Sequence, residues 1–160
     1  MQKKVGVVLT GGDFQGLGVL RTLAKKDIPI LLLDNQYCIG RYSRFKKKFL
    51  KSPHPSETEF YLNFLINLVK KESINGWVIF PNSDEAVFVL SKYKSLLEEF
   101  YRIPTPSWDV IKNVYIKEKT YKLAQEHNIP VPKTYYPKSL KELIELDLYF
   151  PLVIKPSIRD

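Results

Sequence analysis

Between Thr10 and Gly18 the chain reads Thr-Gly-Gly-Asp-Phe-Gln-Gly-Leu-Gly. Glycines in such a loop let backbone N–H groups and a helix N-terminus approach an anion, which makes Gly11, Gly12 and Asp13 candidate substrate contacts. The loop is not a dinucleotide fingerprint, because Gly16-Leu17-Gly18-Val19-Leu20-Arg21 puts an arginine where a third small residue must pack. Nor is it a P-loop: Gly11 and Gly16 have the right separation, but Leu17-Gly18 stand where Lys and Ser/Thr are required. A tight strand-to-helix turn without a ligand is the competing reading. Asp34 suits either a ribose hydroxyl or the end of a strand.

A second group of chemical residues is basic. Asn35 to Ser56 holds Arg41, Arg44, Lys46, Lys47, Lys48 and Lys51 and no Asp or Glu, so most of the chain's net charge of +8 sits in one segment. Arg41 and Arg44 are candidate substrate contacts, since the guanidinium fork matches a carboxylate or phosphate. Tyr37, Tyr42, Phe45 and Phe49 interleave with these cations, a pattern that a nucleic-acid-binding module also uses. Asp84 and Glu85 lie where a helix dipole favours acids in any case, yet their loop is a further candidate contact. His54, His127 and Cys38 have no partners at metal-ligand or nucleophile spacing and are read as ordinary surface or loop residues.

These groups need a scaffold, and the hydropathy pattern supplies one. Lys4–Thr10 and Ile30–Asp34 read as buried strands around a helix over Gly16–Lys26, a βαβ unit. A short strand at Phe49–Ser52 follows. Ser56 then caps a helix to about Glu72, Trp77–Phe80 forms a strand, and Ser83 caps a helix running to about Phe100. This alternation predicts a doubly wound parallel sheet. Pro104-Thr105-Pro106 breaks it and marks a domain boundary, giving 1–104 and 105–160. Beyond it the pattern predicts a turn capped by Ser107, helices over Val114–Asn128 and Ser139–Leu146, and a strand at Pro151–Lys155.

The order of signals in the last third is specific. Lys117-Glu118-Lys119 opens a helix, Asn128-Ile129-Pro130-Val131-Pro132-Lys133-Thr134 forms a turn, and Tyr149-Phe150-Pro151-Leu152-Val153-Ile154-Lys155-Pro156 follows. This succession resembles the opening of the ATP-grasp superfamily, in which a lysine-bearing helix, a "gip-P-T" turn and a "yP-viKP" strand come in this order. The upstream half is similar to the Rossmann-like pre-ATP-grasp domain of those enzymes. Its loop signals match Gly40-Arg41-Tyr42-Ser43-Arg44, Ser52-Pro53-His54-Pro55 and Phe80-Pro81-Asn82-Ser83-Asp84-Glu85.

The resemblance implies an ATP-dependent ligase that activates a carboxylate as an acylphosphate for attack by an amine or similar nucleophile. It implies that Lys119 and Lys155 bind ATP near the phosphates. Mg²⁺ would assist, with its ligands expected downstream of Asp160. The chain is then the amino-terminal part of a longer enzyme, inactive alone, with its second domain cut short. The expected partner is a small-molecule carboxylate, with no membrane and no nucleic acid, and a homodimer is left open.

Composition agrees with a globular protein: 44% of residues are hydrophobic, and the single cysteine allows no internal disulfide. The apolar runs are too short to cross a bilayer and no secretory h-region precedes the first strand, so the expected location is cytoplasmic. The alternatives are a Rossmann-type nucleotide- or NAD-binding enzyme, a basic nucleic-acid-binding module and a catalytically silent interaction domain.

Overall fold

The computed structural model describes residues 4–155. The chain divides into two compact units, Met1–Trp108 and Asp109–Asp160. In the first, strands β1 (Val7–Thr10), β2 (Ile30–Asp34), β3 (Lys48–Lys51) and β4 (Val78–Phe80) form an all-parallel sheet in the order β3-β2-β1-β4. Helix α1 (Phe14–Ala24) joins β1 to β2, and α2 (Thr58–Glu72) joins β3 to β4. Chain order runs outward from β1 through β2 to β3 and then returns to the other side of β1, so the sheet switches direction between β1 and β4. The fold is α/β, as the pattern predicts.

Strand periodicity explains how the sheet is covered on both faces. Alternate residues point to opposite sides. Val7, Leu9, Ile30 and Leu32 therefore face α1 and pack with its Leu20, while Val8, Leu31, Leu33 and Ile79 pack with Tyr61, Leu65 and Leu68 of α2. Leu9, Leu20, Ile30, Leu32, Leu65 and Ile79 are fully buried. Each such side chain contributes roughly 1.5–3 kcal/mol over an exposed one. β3, by contrast, begins and ends in exposed lysines, as suits a sheet edge.

Two tyrosines behind the sheet differ in one respect. Tyr101 donates its hydroxyl to Leu65 O at 2.7 Å. The Tyr61 hydroxyl, equally buried, has no hydrogen-bond partner among the described residues. Thr10 beside it spends its own hydroxyl on Phe80 O and Asn82 N. Burial pushes both phenols well above their ordinary range; at Tyr61 the nearby Thr10 hydroxyl opposes this and the Asp34 charge adds to it. Tyr101→Phe is expected to lower stability by about 1 kcal/mol and Tyr61→Phe to leave it unchanged or raise it by about as much. Urea midpoints of the two variants check this, and equal losses would contradict it.

Several elements depart from the sequence pattern, each for a local reason. The helix expected to reach Phe100 is two pieces, α3 (Asp84–Lys92) and α4 (Lys94–Leu97), because Tyr93 leaves helical geometry at φ −105°, ψ 24°. The break aims Lys94 Nζ at Ile103 O (3.1 Å) and Thr105 O (2.7 Å), tying that segment to the first unit. Ser56 does not cap α2; its hydroxyl pairs with His54 Nδ1 at 2.7 Å, and the capping position is Glu57. Ser83 does cap α3, accepting from Ala86 N.

Beyond β4 and α4 the described residues form α5 (Trp108–Tyr115), which begins on the last residue of the first unit, and then α6 (Lys117–Glu126) and α7 (Leu140–Glu145) in the second. The single helix expected over Val114–Asn128 is broken at extended Ile116, and the Thr120 hydroxyl bonds Asn113 O at 2.8 Å across the break. Asn128, at φ 56°, and Pro130 stop α6. The helix expected over Ser139–Leu146 is α7, with Ser139 as its cap. The expected strand Pro151–Lys155 is not formed: no ladder pairs with it among the described residues, and Ile154 is 96% exposed. An apolar run without a partner to accept its backbone hydrogen bonds is not a strand. Pro156 lies outside the described residues.

Candidate functional site

The carboxyl ends of β1, β2 and β4 gather the first unit's loops, where open α/β sheets bind their ligands. After β1, Gly11 turns with φ +87°, a conformation that favours glycine, and its N–H bonds Leu33 O at 2.7 Å. Gly12 N–H donates to Asp34 Oδ2 at 2.8 Å, and Gln36 N–H takes Oδ1 at 3.1 Å. Gly40 N–H then bonds Gly12 O at 2.7 Å. Asp34 is therefore a clamp joining the glycine loop to the segment after β2, the part expected of an acid at a strand end.

Asp13 is the N-cap of α1, accepting from Gly16 N at 3.1 Å and from Asn82 Nδ2 at 3.0 Å. Asn82 also donates its backbone N–H to Thr10 Oγ1 at 3.3 Å, closing the crevice between β1 and β4. The Gly11, Gly12 and Gly16 N–H groups of the glycine loop are thus bonded within the fold, and the carboxylates of Asp13 and Asp34 lie against it. Its positive partner stands next to it. Asn82 lies within the Phe80-Pro81-Asn82-Ser83-Asp84-Glu85 loop signal of the sequence, and its contacts with Thr10 and Asp13 give it the part of closing that crevice.

That positive partner is the 3₁₀ turn Ile39–Tyr42, which carries Arg41. The Arg41 guanidinium lies 3.9 Å from the Tyr37 ring centroid, 5.6 Å from Tyr42 and 5.9 Å from Phe49. Arg44 is exposed and sits 5.1 Å from the Phe45 ring. The interleaved aromatics thus serve as seats for the cations. Asp84 and Glu85 occupy the first turn of α3; Asp84 is exposed and Glu85 half-buried.

Cys38 sits between these groups. Burial pushes its thiol above the ordinary range; the Arg41 N–H opposes this, and the Asp34 charge and hydrogen bond add to it. A raised pKa keeps the unreactive thiol form to higher pH. At pH 8.5 iodoacetamide should label Cys38 more slowly in the folded chain than in urea. Equal rates would contradict that environment.

In the second unit Lys119 on α6 and Lys155 are both exposed. Neighbouring Lys122 pairs with Glu118 at 2.6 Å, holding the Glu118 carboxyl below its usual range. A shallow cleft of about 310 Å³ is lined by Tyr135, Tyr136, Pro137, Glu142, Glu145 and Leu146. Among the described residues no group of three or more His, Cys, Asp or Glu side chains is placed to hold a metal ion, so no step is assigned to one here. No helix among them is long and apolar enough to cross a membrane.

The first unit is a Rossmann-like α/β domain with its loops gathered at the switch point. The chain superposes on the L-amino acid ligase from Bacillus licheniformis with a TM-score of 0.75 over 98% of its length, at 14% identity. For N5-carboxyaminoimidazole ribonucleotide synthetase from Thermotoga maritima the values are 0.54, 88% and 20%. The chain spans 38% and 35% of the lengths of those two proteins. No family model and no curated protein sequence matches it. At such identities the likeness establishes the fold, in line with the sequence resemblance.

Proposed function

We propose that the chain belongs to an ATP-grasp carboxylate–amine ligase, in which ATP converts a carboxylate to an acylphosphate that an amine or similar nucleophile then attacks. Residues 1–104 are taken as its pre-ATP-grasp domain and 105–160 as the start of its ATP-grasp domain. The observation that carries this reading is the likeness over 98% of the chain to a solved amino acid ligase, joined to the ordered lysine and proline signals of the last third. Physical chemistry supports the division of labour. A triphosphate needs compact cations, which Lys119 and Lys155 supply as exposed ammonium groups. A carboxylate or phosphate on the substrate needs a fork, which Arg41 supplies on its aromatic seat.

Asp34 and Asp13 take a structural part in this scheme. They hold the glycine loop and the Arg41 turn in register, so the arginine need not be ordered when substrate arrives. Gly11, Gly12, Asp84 and Glu85 line the approach from the loops after β1 and β4. Mg²⁺, when bound with ATP, would offset charge on the phosphates, and its ligands are expected outside these residues.

The reading is tested on the whole protein by coupling ADP formation to a panel of carboxylates and amines. Release of ADP and phosphate that requires both partners supports it; nucleotide turnover indifferent to carboxylate contradicts it. The 160-residue chain alone should bind ATP weakly or not at all. Submicromolar binding by isothermal titration would refute the assignment of the remaining ATP contacts to sequence outside it.

A further inference from the structure

Six cations lie between Asn35 and Ser56, and the fold treats them unequally. Along β3, Lys48 and Leu50 point to one face of the sheet and Phe49 and Lys51 to the other. On the α2 face Lys48 is paired with Glu72 at 2.6 Å. The Lys46 amine is held by Ser43 O at 3.0 Å, and Lys47 and Arg44 stand over the separate rings of Trp77 and Phe45. On the α1 face two cations share one ring: Arg41 at 3.9 Å and Lys51 at 5.4 Å from the Tyr37 centroid, with Phe49 tilted against that ring at 6.3 Å.

No acid neutralises this pair among the described residues. The register neighbour of Lys51 is Asp34, but both Asp34 oxygens are turned to the Gly12 and Gln36 N–H groups, and no Asp34–Lys51 ion pair forms. Like charges gathered on one ring repel, a cost that the ring quadrupole and the neighbouring Asp34 carboxylate offset in part. A ligand carrying two negative charges relieves it; a monocarboxylate leaves one cation unmatched. A phosphate monoester fits best, with its oxygens forked by Arg41 and met by the Lys51 point charge.

We infer that Arg41 and Lys51, seated on Tyr37 and Phe49, form a binding site for a dianionic phosphoryl group, and that the substrate of this protein is a phosphorylated small molecule. The inference rests on the proposed role of Arg41 in substrate binding, but it is measured without turnover, so it and the ligase reading fail separately. Phosphoryl groups come from substrate or from nucleotide, and the probes separate the two sources.

The experiment is calorimetric titration of the 160-residue chain with glycerol 3-phosphate, acetate and a nonhydrolysable ATP analogue. Saturable binding of glycerol 3-phosphate is expected, weakened about tenfold or more in each of Arg41→Ala and Lys51→Ala and unchanged in a Lys70→Ala, Lys71→Ala control on the far end of α2. Lys51 is exposed, so its variant tests the site even where Arg41→Ala disturbs the fold. Affinity should also rise as pH passes about 6, where the monoester gains its second charge. Equal binding of acetate, preference for the ATP analogue, or affinity indifferent to both variants would overturn the proposal.

Discussion

Gly16→Ala should destabilise the first unit by about 2–3 kcal/mol, while Gly18→Ala, two residues along the same helix, should stabilise it by roughly 0.5–1 kcal/mol. Alanine in a helix ordinarily gains over glycine, and at Gly18 a Cβ meets nothing within 4 Å. At Gly16 the same atom would collide with Gly11 O and lie 3.2 Å from Asn82 Nδ2. Both neighbours are fixed: Gly11 is bonded to Leu33 O, and Asn82 is bonded to Asp13 and Thr10. The site crevice therefore has to open to admit one methyl group. Urea unfolding with unchanged m-values reads both variants, and opposite signs are required. Two gains would mean that the glycine loop is not packed against Asn82 as described.

The second large effect concerns ligand binding. In the whole protein Arg41→Ala should raise KM for the carboxylate substrate by about 10–100-fold with kcat little changed, the loss of a charge-assisted contact of about 1.5–3 kcal/mol. Arg41→Lys should recover only part of this, because an ammonium lacks the fork and stacks less well on Tyr37. Unchanged KM in Arg41→Ala removes the residue from the substrate site.

Where a prediction from sequence holds, local chemistry alone decides the outcome. β1 and β2 are legible because both of their faces are buried, so Val7 to Leu9 and Ile30 to Leu33 read as unbroken apolar runs. Ser83 is legible as a cap because its hydroxyl bonds an N–H three residues on. The helix breaks are not legible: at Tyr93 the break comes with Lys94 reaching Ile103 O and Thr105 O, partners about ten residues away that no periodicity reports. Pro151–Lys155 fails as a strand for the opposite reason, since its composition is right and a partner is missing.

The same distinction runs through the candidate site. Glycines, arginines and lysines announce themselves by type, so Gly11, Gly12, Arg41 and Lys119 stand out in a sequence. What their neighbours do with them does not. Asp34 reads equally as ribose acceptor or strand cap until its oxygens are seen on Gly12 and Gln36. Lys51 looks like one of six alike until the pleat of β3 separates it from Lys48 and sets it beside Arg41 on one ring.

The central claim is that the whole protein activates a carboxylate by phosphoryl transfer. It is tested most directly by turnover with a carboxylate substrate labelled with ¹⁸O. Attack of a carboxylate oxygen on the γ-phosphorus, followed by displacement of phosphate by the amine, carries one labelled oxygen into the released inorganic phosphate, alongside ADP. That transfer, read by mass spectrometry of the phosphate, is the predicted result. Label appearing in AMP with release of pyrophosphate, or phosphate released without label, would contradict it.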